Sequence, residues 1–174
     1  FWVPHKGKRR PIFEPDTNAS INASGLAPRV HYASRLSRRL EHTLSACYDF
    51  STFYDQFALD NKVQAYFTFR APYQGKVQTF ALTRLPMGAT ASASVAQLTT
   101  WCITHDLGCA DLSIHTMIDN VRFAGNDRIS ILRATTEFRS RCHSAGLTPN
   151  DDPPFSGFDL EGPPQYTFLG EVYT

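Results

Sequence analysis

The sequence predicts an α+β fold, with helices mixed among largely antiparallel strands. Three observations carry this. Short alternating runs are bounded by Gly, Asn and Asp turn signals, as at Tyr73-Gln74-Gly75-Lys76 and at Asp119-Asn120. Two stretches repeat apolar residues at helical spacing: Leu36, Leu40 and Leu44, then Ile131, Thr135, Phe138, Cys142 and Ala145. The elements do not follow the regular strand–helix alternation that builds a parallel sheet.

Taken in order, residues 1–28 are punctuated by Pro and Gly, with strand candidates at Val3 and Ile12–Phe13. Arg29–Leu44 is expected to be a helix with a basic outer face. Ala46–Phe50 is a short apolar strand that delivers Asp49 to its end. Tyr66–Phe69 and Val77–Leu82 alternate as the arms of a hairpin. Leu85-Pro86-Met87-Gly88 interrupts the chain before a helix over Ala89–His105, whose first turns are nearly all Ala, Ser and Thr. Ile114–Ile118 and Val121–Ala124 are strands on either side of a turn at Asp119-Asn120. Asn126 or Asp127 caps the next helix, and Gly146 ends it in a left-handed conformation. Asp151–Pro164 is a loop, and Tyr166–Tyr173 closes as one strand.

Composition narrows the function. With 174 residues, 42% hydrophobic and 19% charged, the chain is too apolar for a disordered segment. It has no apolar run near the ~20 residues of a membrane span. It begins at Phe1 without a leader, as expected of a piece of a longer protein. The net charge of +1 conceals an asymmetry. Residues 1–45 hold eight Lys/Arg against three acids, and the remainder is acidic by four. A basic lobe joined to an acidic one suits an enzyme that handles a polyanion and binds cations. Cys47, Cys102, Cys109 and Cys142 form no Cys-x-x-Cys pair, and Cys102, His105 and Cys109 are too loosely spaced for a zinc site. Reduced thiols of an intracellular protein, cytoplasmic or nuclear, are expected.

Two carboxylates stand out by placement, Asp49 at a strand end and Asp119 at a hairpin. Acids from separate strands of one sheet can meet and hold Mg²⁺, which takes oxygen ligands and shares them with phosphates. Two such ions ~4 Å apart clamp the attacking and leaving oxygens of a phosphoryl transfer. Taken alone, an Asp in a hairpin is more often a plain turn residue, so the pairing needs support from its context.

The order of the segments resembles the fingers and palm of a reverse transcriptase, nearly end to end. The residues that carry the resemblance are Arg10-Pro11-Ile12-Phe13-Glu14, Asp49 through Phe57, Leu85-Pro86-Met87-Gly88-Ala89-Thr90 through Gln97, Met117-Ile118-Asp119-Asn120, Ala145 through Asn150, and Phe168-Leu169-Gly170-Glu171-Val172. Arg10-Pro11-Ile12 and Phe168-Leu169-Gly170 lean toward retrotransposons, of the tyrosine-recombinase (DIRS-like) or long-terminal-repeat type.

The resemblance implies a palm, an antiparallel sheet with helices on one face, over 46–57 and 85–174, ending at the primer-grip strand. It implies a partial fingers lobe over 1–45 and 58–84. Thumb and RNase H regions are expected elsewhere in a parent polyprotein. The implied activity is RNA-directed DNA synthesis with two Mg²⁺, or Mn²⁺ in their place. The implied partners are dNTPs, an RNA or DNA template with its primer, and the thumb and RNase H regions, with no membrane. Asp49, Asp119 and Asn120 would be catalytic, and the same three with the Phe50 carbonyl would hold metal. Lys6, Lys8 and Arg10 would meet the triphosphate, Tyr54 would exclude a 2′-hydroxyl, and Met87 and Gly88 would touch nucleotide and template. Phe168, Leu169 and Gly170 would grip the primer.

Departures from the family pattern are Asn120 for a second Asp, Met117 for an aromatic residue, and no Lys after Asn150. Arg122 also stands where an apolar residue is expected, free to pair with Asp119 or Asp127 or to reach primer phosphate. They support an alternative: a catalytically silent reverse-transcriptase-like domain that binds RNA or protein.

Overall fold

The computed structural model describes residues 2–5, 7–11, 13, 18, 44–150, 166–168 and 171–173. Chain contacts divide it into two compact units, Phe1–Pro28 with Thr52–Val95, and Arg29–Ser51 with Ala96–Thr174.

In the first unit, β1 (Trp2–His5) pairs antiparallel with β2 (Lys8–Pro11). A 3₁₀ turn over Phe53–Gln56 and the short α1 (Asn61–Gln64), capped by the Asp60 carboxylate, follow. β4 (Thr68–Tyr73) and β5 (Lys76–Ala81) form a hairpin about the expected turn, with the first arm two residues later and longer than the expected Tyr66–Phe69. Gln74 and Gly75 both have positive φ, 49° and 76°. Two positive values mark the type I′ turn, whose twist matches that of a hairpin. Among the described residues of this unit, Phe53, Phe67, Leu85, Pro86 and Ala89 are buried apolar residues. Phe53 packs edge-on to Phe57 at 4.9 Å, and Phe13 to Phe67 at 6.3 Å.

The second unit is built on a three-stranded antiparallel sheet in the order β3 (Leu44–Asp49), β7 (Asn120–Gly125), β6 (Leu112–Met117). Strand alternation and register assign its two faces. One carries Leu44, Ala46, Tyr48, Val121, Phe123, Leu112, Ile114 and Thr116. The other carries Ser45, Cys47, Asp49, Asn120, Arg122, Ser113, His115 and Met117. The apolar face is covered by α3 (Arg128–Ser144), which sends the fully buried Phe138 ring to within 5.2 Å of Tyr48, 5.4 Å of Phe123 and 6.0 Å of Phe50. The end of α2 (Thr90–Thr104) that lies in this unit reaches the same face, where Gln97 bonds the Thr116 hydroxyl. Helices on one side of an antiparallel sheet make the α+β arrangement that the sequence predicted. Gly125 lies opposite Leu44 and Leu112, and a Cβ there would stand 2.6 Å from the Asp111 carbonyl, so no larger residue fits without a shift.

Local chemistry sets the ends of α3. The Asp127 carboxylate accepts from the N–H groups of Ile129 and Ser130 and from the Ser130 hydroxyl. These bonds, the Ser130 hydroxyl foremost, hold its carboxyl below the usual carboxylate range. At the other end the N–H of Gly146 (φ 70°) donates to His143 and that of Leu147 to Cys142, a Schellman closure.

Four expectations need correction or fall outside the described residues. Leu44 opens β3 and does not end a helix; the rest of the expected Arg29–Leu44 helix is outside the described residues, as is the Asp151–Pro164 loop. The turn after β6 is at Ile118-Asp119, one residue earlier than Asp119-Asn120, because Asn120 pairs with both Asp49 and Met117. Tyr166–Tyr173 is two antiparallel strands, β8 (Tyr166–Phe168) and β9 (Glu171–Tyr173), divided where the sequence carries Gly170. The 3₁₀ turn and α1 are too short to leave a periodic signature.

Candidate active site

The sheet brings Asp49 and Asp119 to the same end of adjacent strands. Asp49 is the last residue of β3 and faces Asn120, the first of β7. One step further the Phe50 N–H donates to the Asp119 carbonyl at 3.1 Å. Asp49 is exposed, while Asp119 and Asn120 are half-buried. Each carboxylate is steadied by an asparagine amide. Asn120 Nδ2 donates to Asp119 Oδ1 at 2.9 Å, and Asn150 Nδ2 donates to Asp49 Oδ2 at 3.3 Å. The Asn150 main-chain N–H also donates to the Asp49 carbonyl at 2.8 Å, so the segment after α3 is fastened to the end of β3. Phe50 is a core side chain, 2% exposed, so any role at this end falls to its main-chain carbonyl.

The hairpin that carries Asp119 is under backbone strain. Ile118 has φ 54°, and it is the single residue of the two-residue loop with positive φ, as in a type II′ turn. That position favours Gly, and a β-branched residue there is an outlier that persists only where its surroundings over-determine it. Two fully buried side chains of α2, three residues apart along the helix, do so. Gln97 Oε1 accepts the Ile118 N–H at 2.8 Å, and the Thr100 hydroxyl donates to the Ile118 carbonyl. Gln97 Nε2 also donates to the Thr116 hydroxyl at 3.3 Å. Both peptide groups flanking the strained residue are therefore fixed from the helix. The other β-branched residue with positive φ among the described residues is Thr52 (φ 49°), three positions after Asp49.

Arg122 sits next to Asn120 on the same sheet face, 2% exposed, between Cys47 and His115 in register. Its Nη1 lies 3.3 Å from His115 Nδ1. Burial pushes the Cys47 thiol up, with Arg122 and a Ser45 hydrogen bond acting the other way. Of the two acids weighed as Arg122 partners, Asp127 is engaged as the cap of α3.

The remaining candidates lie in the first unit or among strands described by backbone alone. Tyr54 is half-buried in the 3₁₀ turn. Met87 is 38% exposed and Gly88 has φ 110°. Asn18 holds this turn with both ends of its amide, donating to the Gly88 carbonyl at 2.8 Å and accepting the Thr90 N–H at 2.9 Å. Lys8 and Arg10 lie on β2 opposite His5 and Val3, and Phe168 ends β8. Lys6, Leu169 and Gly170 lie outside the described residues.

Sequence reasoning missed Asn18, Gln97, Thr100 and Asn150 as positioning residues. A signal existed for Gln97 and Thr100, since amide and hydroxyl groups three apart in a helix that must bury one face need partners.

The donors gathered at the Asp49 end are oxygens, two carboxylates with an amide oxygen and main-chain carbonyls nearby. This hard set suits magnesium or manganese better than zinc or copper. Among the described residues no three His, Cys, Asp or Glu side chains are grouped to hold a metal ion, and no helix is long and apolar enough to cross a membrane.

No family model matches the chain, and no curated protein matches it. Solved structures do. A foamy viral protease-reverse transcriptase (dRH) in complex with double-stranded DNA superposes with a TM-score of 0.76 at 18% identity, over 98% of this chain and 28% of its own. A second foamy viral protease-reverse transcriptase complex with double-stranded DNA gives 0.75 at 17%, over 98% and 33%. The prototype foamy virus protease-reverse transcriptase CSH mutant gives 0.69 at 17%, over 85% and 19%. The chain thus spans a third or less of the length of these proteins. At such identities the likeness is one of architecture, and on that basis the chain has a reverse-transcriptase-like α+β fold.

Proposed function

We propose that this chain is the fingers and palm portion of an RNA-directed DNA polymerase encoded by a retroelement. Residues 1–45 and 58–84 would serve as fingers, and 46–57 with 85–174 as palm. The observation that carries the reading is the 3.1 Å hydrogen bond from the Phe50 N–H to the Asp119 carbonyl, which sets Asp119 across from the residue that follows Asp49 at one end of the sheet.

Asp49 and Asp119, with the Phe50 carbonyl and the Asn120 amide oxygen, would hold two Mg²⁺ ions. When bound, the ions would neutralise the triphosphate and activate the primer 3′-hydroxyl for in-line displacement. The chain's own residues orient the participants. Asn150 and Asn120 fix the two carboxylates, and Gln97 and Thr100 fix the turn that presents Asp119. Lys6, Lys8 and Arg10 would meet the phosphates, Arg suiting a bidentate contact and Lys a point charge. Tyr54 would lie under the sugar and exclude a 2′-hydroxyl. Met87 and Gly88 would touch nucleotide and template, and Phe168, Leu169 and Gly170 the primer end. The template would be RNA or DNA, and thumb and RNase H regions of a parent polyprotein would complete the enzyme, inside the cell. Retrotransposons of the DIRS-like or long-terminal-repeat type are the proposed source.

A second reading, a silent domain that binds RNA or protein, is favoured by one observation: Asn120 directs its amide nitrogen at Asp119, where an acid would add charge to the site. Primer extension by the protein that carries this chain separates the two. The polymerase reading predicts dNTP incorporation that Asp49→Ala reduces by about a hundred- to a thousandfold, as removal of one charge-stabilising group does elsewhere. Extension by Asp49→Ala at the wild-type rate contradicts it.

A further inference from the structure

The turn that leads into α2 has three successive carbonyls, and each accepts a hydrogen bond. The Ser92 hydroxyl donates to the Pro86 carbonyl at 2.7 Å, the Phe13 N–H to that of Met87 at 3.3 Å, and Asn18 Nδ2 to that of Gly88 at 2.8 Å. Asn18 Oδ1 also accepts the Thr90 N–H at 2.9 Å, one of the first donors of the helix, which have no partner within it. Asn18 and the turn belong to one compact unit, although 70 residues of sequence separate Asn18 from Gly88. Leu85, Pro86 and Ala89 are buried, whereas Met87 and Gly88 between them are exposed. No described residue accepts the N–H groups of Met87 and Gly88. The acceptors of the turn are thus spent on the protein, and its exposed residues keep their donors.

An amide suits the place of Asn18 by its chemistry. The Gly88 carbonyl needs a donor and the Thr90 N–H an acceptor, and a primary amide offers both from one planar group. A carboxylate of the same shape has acceptors only. It would keep the Thr90 contact and set an oxygen against the Gly88 carbonyl. Gly88 sits at φ 110°, and a glycine defines its own conformation weakly. The path of the chain from Met87 into α2 therefore depends on the bonds that grip it, and Asn18 supplies two of them.

We infer that Asn18 is a positioning residue for a nucleotide: its amide fixes the conformation in which Met87 and Gly88 are presented, and so sets how tightly the nucleotide is held without entering the chemistry. The inference rests on the polymerase reading, in which those two residues touch the incoming nucleotide.

The test is titration of the protein that carries this chain with a fluorescent dATP analogue and Mg²⁺, followed by primer extension at varied dATP. Asn18→Asp and Asn18→Leu are each expected to weaken nucleotide binding about tenfold, the worth of one hydrogen bond, and to raise KM alike with kcat within about twofold. Ile131→Val, a small loss in the buried core of the other unit, controls for stability and should keep wild-type affinity and KM. Hydrogen exchange gives a reading that needs no ligand. The Thr90 amide should stay protected in wild type and in Asn18→Asp, which keeps the acceptor, and exchange faster in Asn18→Leu. Wild-type nucleotide affinity in both Asn18 variants, an equal loss in Ile131→Val, or unaltered Thr90 exchange in Asn18→Leu overturns the inference and leaves the polymerase reading standing. A wild-type protein that binds no nucleotide overturns both.

Discussion

Ile118 is the residue on which the site's geometry turns. A β-branched side chain at positive φ is unfavourable by about 1–3 kcal/mol, and here it immediately precedes the carboxylate that the hairpin presents. Gln97 and Thr100 stabilise that conformation because each supplies a hydrogen bond to a peptide group that would otherwise be left wanting. The Thr100 hydroxyl has one proton and two acceptors in reach, Ile118 and Ala96, and the closer is Ile118. Thr100→Val keeps the shape and removes the donor, so it should destabilise the fold by about 1–3 kcal/mol. In an Ile118→Gly background the turn no longer needs holding, and the same substitution should lose less. A double-mutant cycle by urea denaturation measures this coupling; equal losses in both backgrounds would mean that Thr100 does not hold the turn. None of this strain was visible in the sequence. Asn120 is the better turn former by chemistry, and the sequence reading accordingly centred the turn one residue late. Pairing of Asn120 with both neighbouring strands overrides that local preference.

At the scale of elements, α3 was the most legible. Its apolar spacing, its Asp127 cap and its Gly146 terminus each follow from side-chain chemistry within a few residues, and all three agree. The helix also holds the sheet that carries the site. Phe138 is fully buried against Tyr48, Phe50 and Phe123, so Phe138→Ala should destabilise the protein by about 3–5 kcal/mol, read as a lowered denaturant midpoint. A loss below about 1 kcal/mol would show that the ring is not a core anchor. Elements set by partners distant in sequence were less legible. Leu44 continues a leucine spacing that suggests a helix, yet it pairs with Gly125 as the first residue of β3. The tie from Asn150 to Asp49 spans a hundred residues, and no local pattern announces it.

For the molecule as a whole, the sequence showed the two acids and the order of the segments around them, and the structure shows those acids at one end of a single sheet. Residues that fix the acids were harder to see, because Asn18, Gln97, Thr100 and Asn150 are ordinary polar side chains until their partners are known. The fold is reverse-transcriptase-like, and the proposed function requires in addition that Asp49 and Asp119 together hold the two metal ions. The most direct test is Mn²⁺ binding to the protein that carries this chain, followed by electron paramagnetic resonance with a dNTP present, for wild type, Asp49→Asn and Asp119→Asn. The account predicts that either substitution weakens binding by about tenfold or more, as loss of one of two anionic ligands should. Wild-type binding in either variant would contradict a site shared by the two residues.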